Sequence, residues 1–191
     1  MEESFDALEV IARTRGKVDM DSVPTGKKLF PLWGWLTVIV YSLVFLLWQL
    51  LHQEWCLWLW VAIPAVGIPL MILFISKDHL ATHMRTREAK LVLNYWIFAA
   101  CVFGLGGFLF GFTGLYEVVQ NPLIALLVGI GAFITGGALR FRPMIIGGLI
   151  GAAIGICSFA LQGDIWIWQT LAIVACALAA LVIPGHLYNK S

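Results

Sequence analysis

"ITGGALRFRPMIIGGLIG", residues 134–151, places two arginines and a proline inside a run that is otherwise small and apolar. Read as one helix, the surrounding segment 122–161 would extend about 60 Å at 1.5 Å per residue, twice the ~30 Å hydrocarbon core of a bilayer. Arg140 and Arg142 would then sit at mid-membrane, at about 2.5–3.5 kcal/mol each. Pro143 also lacks a backbone donor and disfavours helix at the residue before it. The stretch therefore predicts two helices joined by a tight turn at a membrane surface.

The rest of the 191-residue chain fits that reading. Hydrophobic residues make up 61% and charged residues only 12%, with a mean hydropathy of +0.91. A water-soluble domain needs a charged exterior, so this composition indicates lipid as the solvent. The net charge of +1 gives no basic field for nucleic acid. Six apolar segments approach spanning length, at 31–52, 55–76, 92–114, 122–139, 143–161 and 165–184. The expected fold is an all-α polytopic transmembrane helical bundle of six spans. It has a 1–28 N-terminal segment, a 29–185 membrane domain and a 186–191 tail. No apolar run precedes residue 29, so no cleavable signal peptide is expected and the first span serves as the insertion signal.

Orientation follows from the cations. Six spans put both termini on the side of the 77–91 loop and the 140–143 turn. That side receives Arg13, Arg15, Lys17, Lys27, Lys28, Lys77, Arg85, Arg87, Lys90, Arg140, Arg142 and Lys190, all 12 of the lysines and arginines. The opposite connections carry Glu54, Glu117 and Asp164 instead. The positive-inside rule sets both termini in the cytoplasm; the expected location is the inner (plasma) membrane, multi-pass. Trp33 and Trp35 mark the cytoplasmic entry of span one. Trp55, Trp58 and Trp60, and Trp166 with Trp168, mark outer entries at headgroup level. "QEWCLWLW" (53–60) and "QGDIWIW" (162–168) open their spans alike, which reads either as a duplicated hairpin or as the shared demand of an outer interface.

Glycine spacing sets the expected packing. Span three carries Gly104, Gly107 and Gly111, span four Gly129 and Gly136, and span five Gly147, Gly151 and Gly155 as GxxxGxxxG. Lipid supplies no hydrophobic drive between helices, so small residues that let backbones approach do that work. These stripes predict a close-packed centre within one chain, with a dimer contact as the alternative. Pro64 and Pro69 are both read as interior to span two, bending it.

Groups able to do chemistry are few. No Asp, Glu, Lys or Arg falls centrally in any span, which argues against ion coupling and intramembrane hydrolysis. Ser158 has no activating His or Lys nearby in sequence. The four cysteines, Cys56, Cys101, Cys157 and Cys176, lack zinc spacing and read as embedded thiols. In "KDHLATHMRTREAK" (77–90), His79 and His83 share a helical face and are the weak candidate for a metal, pending a third ligand. The preferred reading is a charged connector whose Arg85 and Arg87 touch anionic headgroups. Arg140 and Arg142 carry the same expectation, since a guanidinium matches phosphate geometry. Within residues 1–28, Phe5, Leu8, Ile11 and Ala12 can share one face of a short amphipathic helix.

"PLWGW" (31–35), "ITGGALRFRPMIIGG" (134–148) and "IPGHLYNK" (183–190) resemble uncharacterised six-span bacterial inner-membrane proteins. The resemblance implies the fold and a bacterial source and brings no activity with it. The functional expectation is a non-enzymatic membrane protein without cofactor. It would act through helix packing, self-association, lipid or a membrane-protein partner. The alternative is a small permease for an uncharged or hydrophobic solute between the glycine-rich spans.

Overall fold

A computed structural model describes residues 24–52, 59–77, 87–113, 119–160 and 165–190, and over these the backbone is helical with no strand. Helix α1 is Pro24–Leu51, α2 Ala62–Lys77, α3 Arg87–Thr113, α4 Asn121–Ala138 and α5 Arg142–Ser158. The last rod is α6, Ile165–Ala177, continued through a π-helical turn at Leu178–Val182 into α7, Ile183–Lys190. Each apolar segment read from the sequence is thus helical in its described part. Among the described residues, three stretches are long and apolar enough to cross a membrane: Leu29–Leu51, Asn121–Ala138 and Ile167–Tyr188. Shorter apolar helices cover Leu59–Leu73, Lys90–Phe103 and Arg142–Ser158.

The most extensive packing is between α4 and α5, and glycine is the reason. A Cβ on Gly129 would lie 2.6 Å from the Gly151 carbonyl carbon, and one on Gly136 would lie 2.7 Å from the Ile145 nitrogen. On the other helix, a Cβ at Gly148 would strike the Phe133 backbone and one at Gly155 the Leu126 backbone. The two helices pack backbone against backbone, which any side chain would prevent. The α6–α7 rod closes the other side of α5. Gly147 lies against the Ala179 carbonyl oxygen, and Gly151 faces Cys176 Sγ. The stripe expected on span five therefore splits between two neighbours, and the sequence reading overlooked its partner Gly148.

The π turn has a local cause. Ile183 N–H donates to the Leu178 carbonyl, and the next residue, Pro184, has no N–H to give. Carbonyls of the turn are thereby left outside the regular ladder, and the Ala179 oxygen is the one that meets Gly147. A Cα–H···O contact suits such a pairing.

Helix α1 packs on the α6–α7 rod, while α2 packs on α1 and α3 on α4 at the flanks. Gly34 accommodates Val182, and Gly185 accommodates Pro31. α1 starts earlier than expected, at Pro24, and ends with His52 in the left-handed region (φ 49°). Helix α2 begins at Ala62, so Pro64 falls in the first turn, where no helical donor is lost, and Pro69 alone is interior. Two of the expected interface tryptophans point inward. The Trp33 ring fills the space over Gly67, and Trp60 stacks on Tyr41 at 5.8 Å and packs against the core. Trp35 and Trp168 are exposed. Trp55 and Trp58 lie outside the described residues, as do Phe5, Leu8, Ile11 and Ala12.

Candidate functional site

The α4–α5 turn is a Schellman cap. Leu139 N–H donates to Thr135 O (2.9 Å), Arg140 N–H to Gly137 O (3.2 Å) and Phe141 N–H to Gly136 O (2.9 Å). Such a cap needs a left-handed residue, usually glycine, and here it is Arg140, with φ 53°. Phe141 is extended (φ −102°, ψ 99°), and its carbonyl accepts from Met144 and Ile145 to open α5. Pro143 sits in that first turn. The tight turn expected at "RFRP" is present.

Phe141 is buried, with its ring edge-on to Tyr188 at 5.0 Å. Tyr188 itself is 2% exposed, so the terminal helix belongs to the core. Arg140 and Arg142, on either side of Phe141, are both exposed. Among the described residues neither has an ion-pair or side-chain hydrogen-bond partner. Of the other sequence candidates, His79, His83 and Arg85 lie outside the described residues. Arg87 opens α3, and Gly104, Gly107 and Gly111 fall within that helix, their surroundings undescribed. Among the described residues no group of three or more His, Cys, Asp or Glu is poised for a metal.

Polar side chains gather toward the opposite end of the bundle. Gln120 and Asn121 stand at the start of α4, Ser158 at the end of α5, and Gln169 and Thr170 early in α6, all buried. The register follows from Cys176 Sγ donating to Ala125 O (3.3 Å) and from Gly155 meeting Leu126. Ser158 Oγ donates to the Gly155 carbonyl of its own helix (2.7 Å). Gln120 Oε1 and Asn121 Oδ1 have no hydrogen-bond partner among the described residues.

A third polar group holds α3 to α4. Tyr95 OH donates to Leu127 O (2.6 Å). Trp96 Nε1 donates to Thr135 Oγ1 (3.2 Å), and Thr135 donates onward to Gly131 O (2.6 Å). Both rings lie over Gly131, where a Cβ would be 2.7 Å from Tyr95 Cε1. The sequence reading missed Gly131. The signal available was its place in "GIGAF", off the Gly129–Gly136 face. Asn94 is exposed on α3.

No protein-family model, no curated protein and no solved structure matches this chain.

Proposed function

We propose that this chain is a six-span integral membrane protein without catalysis of its own, both termini and the arginine turn facing the cytoplasm, acting through lipid and membrane-protein contacts. The observation that carries this reading is an inverted polarity. Large apolar side chains such as Leu50 (77% exposed), Leu105 (64%) and Ile156 (61%) face outward, while Gln120, Asn121, Thr135, Ser158, Gln169 and Thr170 are buried. Water would drive the opposite distribution, and hydrocarbon permits this one. Among the described residues the buried polar set holds amides and hydroxyls and no charged group, which suits interhelical bonding rather than proton or ion chemistry. A bacterial inner membrane is the proposed location on the resemblance given above, and the cation asymmetry supports the orientation within it.

Reporter fusions at residues 1 and 191, with a tag inserted at 162–164, test the topology. Both ends should report the cytoplasm and the insertion the opposite side. Termini in different compartments would overturn the six-span scheme.

The buried amides of Gln120 and Asn121 favour a second reading, a permease for an uncharged solute. An unpaired buried carbonyl costs about 1–3 kcal/mol, which a hydrogen-bond donor on a passing molecule would offset. Glycerol- and urea-driven swelling of proteoliposomes tests it. Swelling above the empty-vesicle rate, abolished by Gln120→Leu with Asn121→Leu, supports the permease. Rates equal to empty vesicles remove it.

A further inference from the structure

We infer that the α4–α5 turn binds the phosphate of an anionic phospholipid, held between the guanidiniums of Arg140 and Arg142. The inference rests on the membrane reading above and gives it a specific lipid class. It starts from a misfit. The cap hydrogen bonds run from backbone to backbone, so the turn asks nothing of an arginine side chain. The left-handed conformation at this position (φ 53°) favours glycine and strains an L side chain. Strain retained at an exposed residue points to work done by its side chain.

The geometry supplies that work. Phe141 is buried while Arg140 and Arg142 on either side of it are both exposed. The extended backbone at Phe141 (φ −102°, ψ 99°) sets the two arginine Cα atoms about 6–7 Å apart. The Phe141–Tyr188 contact at 5.0 Å fixes the turn to the core, so little ordering is needed when a ligand arrives. Two exposed guanidiniums so placed, with no partner among the described residues, can each offer paired N–H groups to one phosphate.

The surroundings favour a lipid over free phosphate. From Arg142, residues at helical steps along α5 are Ile146 (57% exposed), Leu149 (55%) and Ile150 (48%). They form an outward apolar track leading away from the arginines, along which an acyl chain can lie. A phosphate at one end and hydrocarbon beside the helix is the outline of a phospholipid.

Native mass spectrometry of the full chain, released from phosphatidylcholine membranes containing graded phosphatidylglycerol, reads the lipid retained. The wild type should retain phosphatidylglycerol preferentially. Arg140→Gly and Arg142→Gln should each lower that preference about fivefold, the effect of one cation near an anionic surface. In pure phosphatidylcholine, Arg140→Gly should melt no earlier than wild type, since glycine relieves the strained φ. Unchanged preference in the Arg140→Gly, Arg142→Gln double variant overturns the site. So does earlier melting of Arg140→Gly in phosphatidylcholine, which would make the residue structural. Inorganic phosphate matching the thermal stabilisation given by phosphatidylglycerol overturns the lipid assignment. Recovery of wild-type protein in the soluble fraction would instead sink the membrane reading itself.

Discussion

Phe141, in the turn between α4 and α5, meets Tyr188 of the terminal helix edge-to-face, with ring centroids 5.0 Å apart and planes at 62°. This contact ties the middle of the chain to its end. Phe141→Ala should destabilise the protein by about 3–5 kcal/mol, the cost of emptying a buried aromatic site. A double-mutant cycle with Tyr188→Ala should show coupling of about 0.5–1.5 kcal/mol. Thermal unfolding in detergent measures both, and additive effects would mean that the rings are not partners.

Glycines of one helix should respond in opposite ways. Gly129→Ala places a methyl group on the Gly151–Ala152 backbone, where neither helix can yield without separating. Overpacking of this kind costs about 1–3 kcal/mol or more. Gly137 has nothing within 4 Å of a built Cβ, and Gly137→Ala should stabilise by about 0.5–1 kcal/mol through helix propensity. Equal responses at the two positions would contradict the close α4–α5 approach.

Thr135 receives Trp96 Nε1 at 3.2 Å. Thr135→Val should leave the indole N–H without its acceptor and cost about 1–3 kcal/mol. Trp96→Phe removes the donor as well as the partner's burden, so Thr135→Val should be nearly neutral in that background. The comparison of melting midpoints across the four proteins checks this.

Cys176 is buried, whereas Cys101 and Cys157 are exposed and all three are free thiols. With Cys56 replaced by alanine, a membrane-permeant maleimide should modify Cys157 in the folded protein and reach Cys176 only after denaturation. Peptide mapping of the labelled protein distinguishes them. Modification of Cys176 before unfolding would place it outside the α5–α6 contact.

The helical segments and the break at Arg140–Pro143 were legible because their causes are local. Transfer of a side chain to hydrocarbon adds residue by residue, and Pro143 acts on its immediate neighbours. The small-residue faces of α4 and α5 were legible too, through Gly129, Gly136 and Gly155. Their partners were not. Gly148 and Gly131 fall off the expected stripes, and Gly147 and Gly151 turn toward the α6–α7 rod as well as continuing the α5 row. Trp33 and Trp60 have the composition of interface anchors, yet pack inward on Gly67 and Tyr41.

These features share one origin. In helices apolar on every side, no polar–apolar contrast marks which face turns inward. The rotation of each helix about its axis is set instead by where two backbones can come closest, a property of pairs of helices distant in sequence. Arg140 shows the division within one residue. Its charge and its place close to Pro143 could be read from the chain directly, while its left-handed backbone belongs to a cap whose next residue, Phe141, is held against Tyr188 far along the sequence.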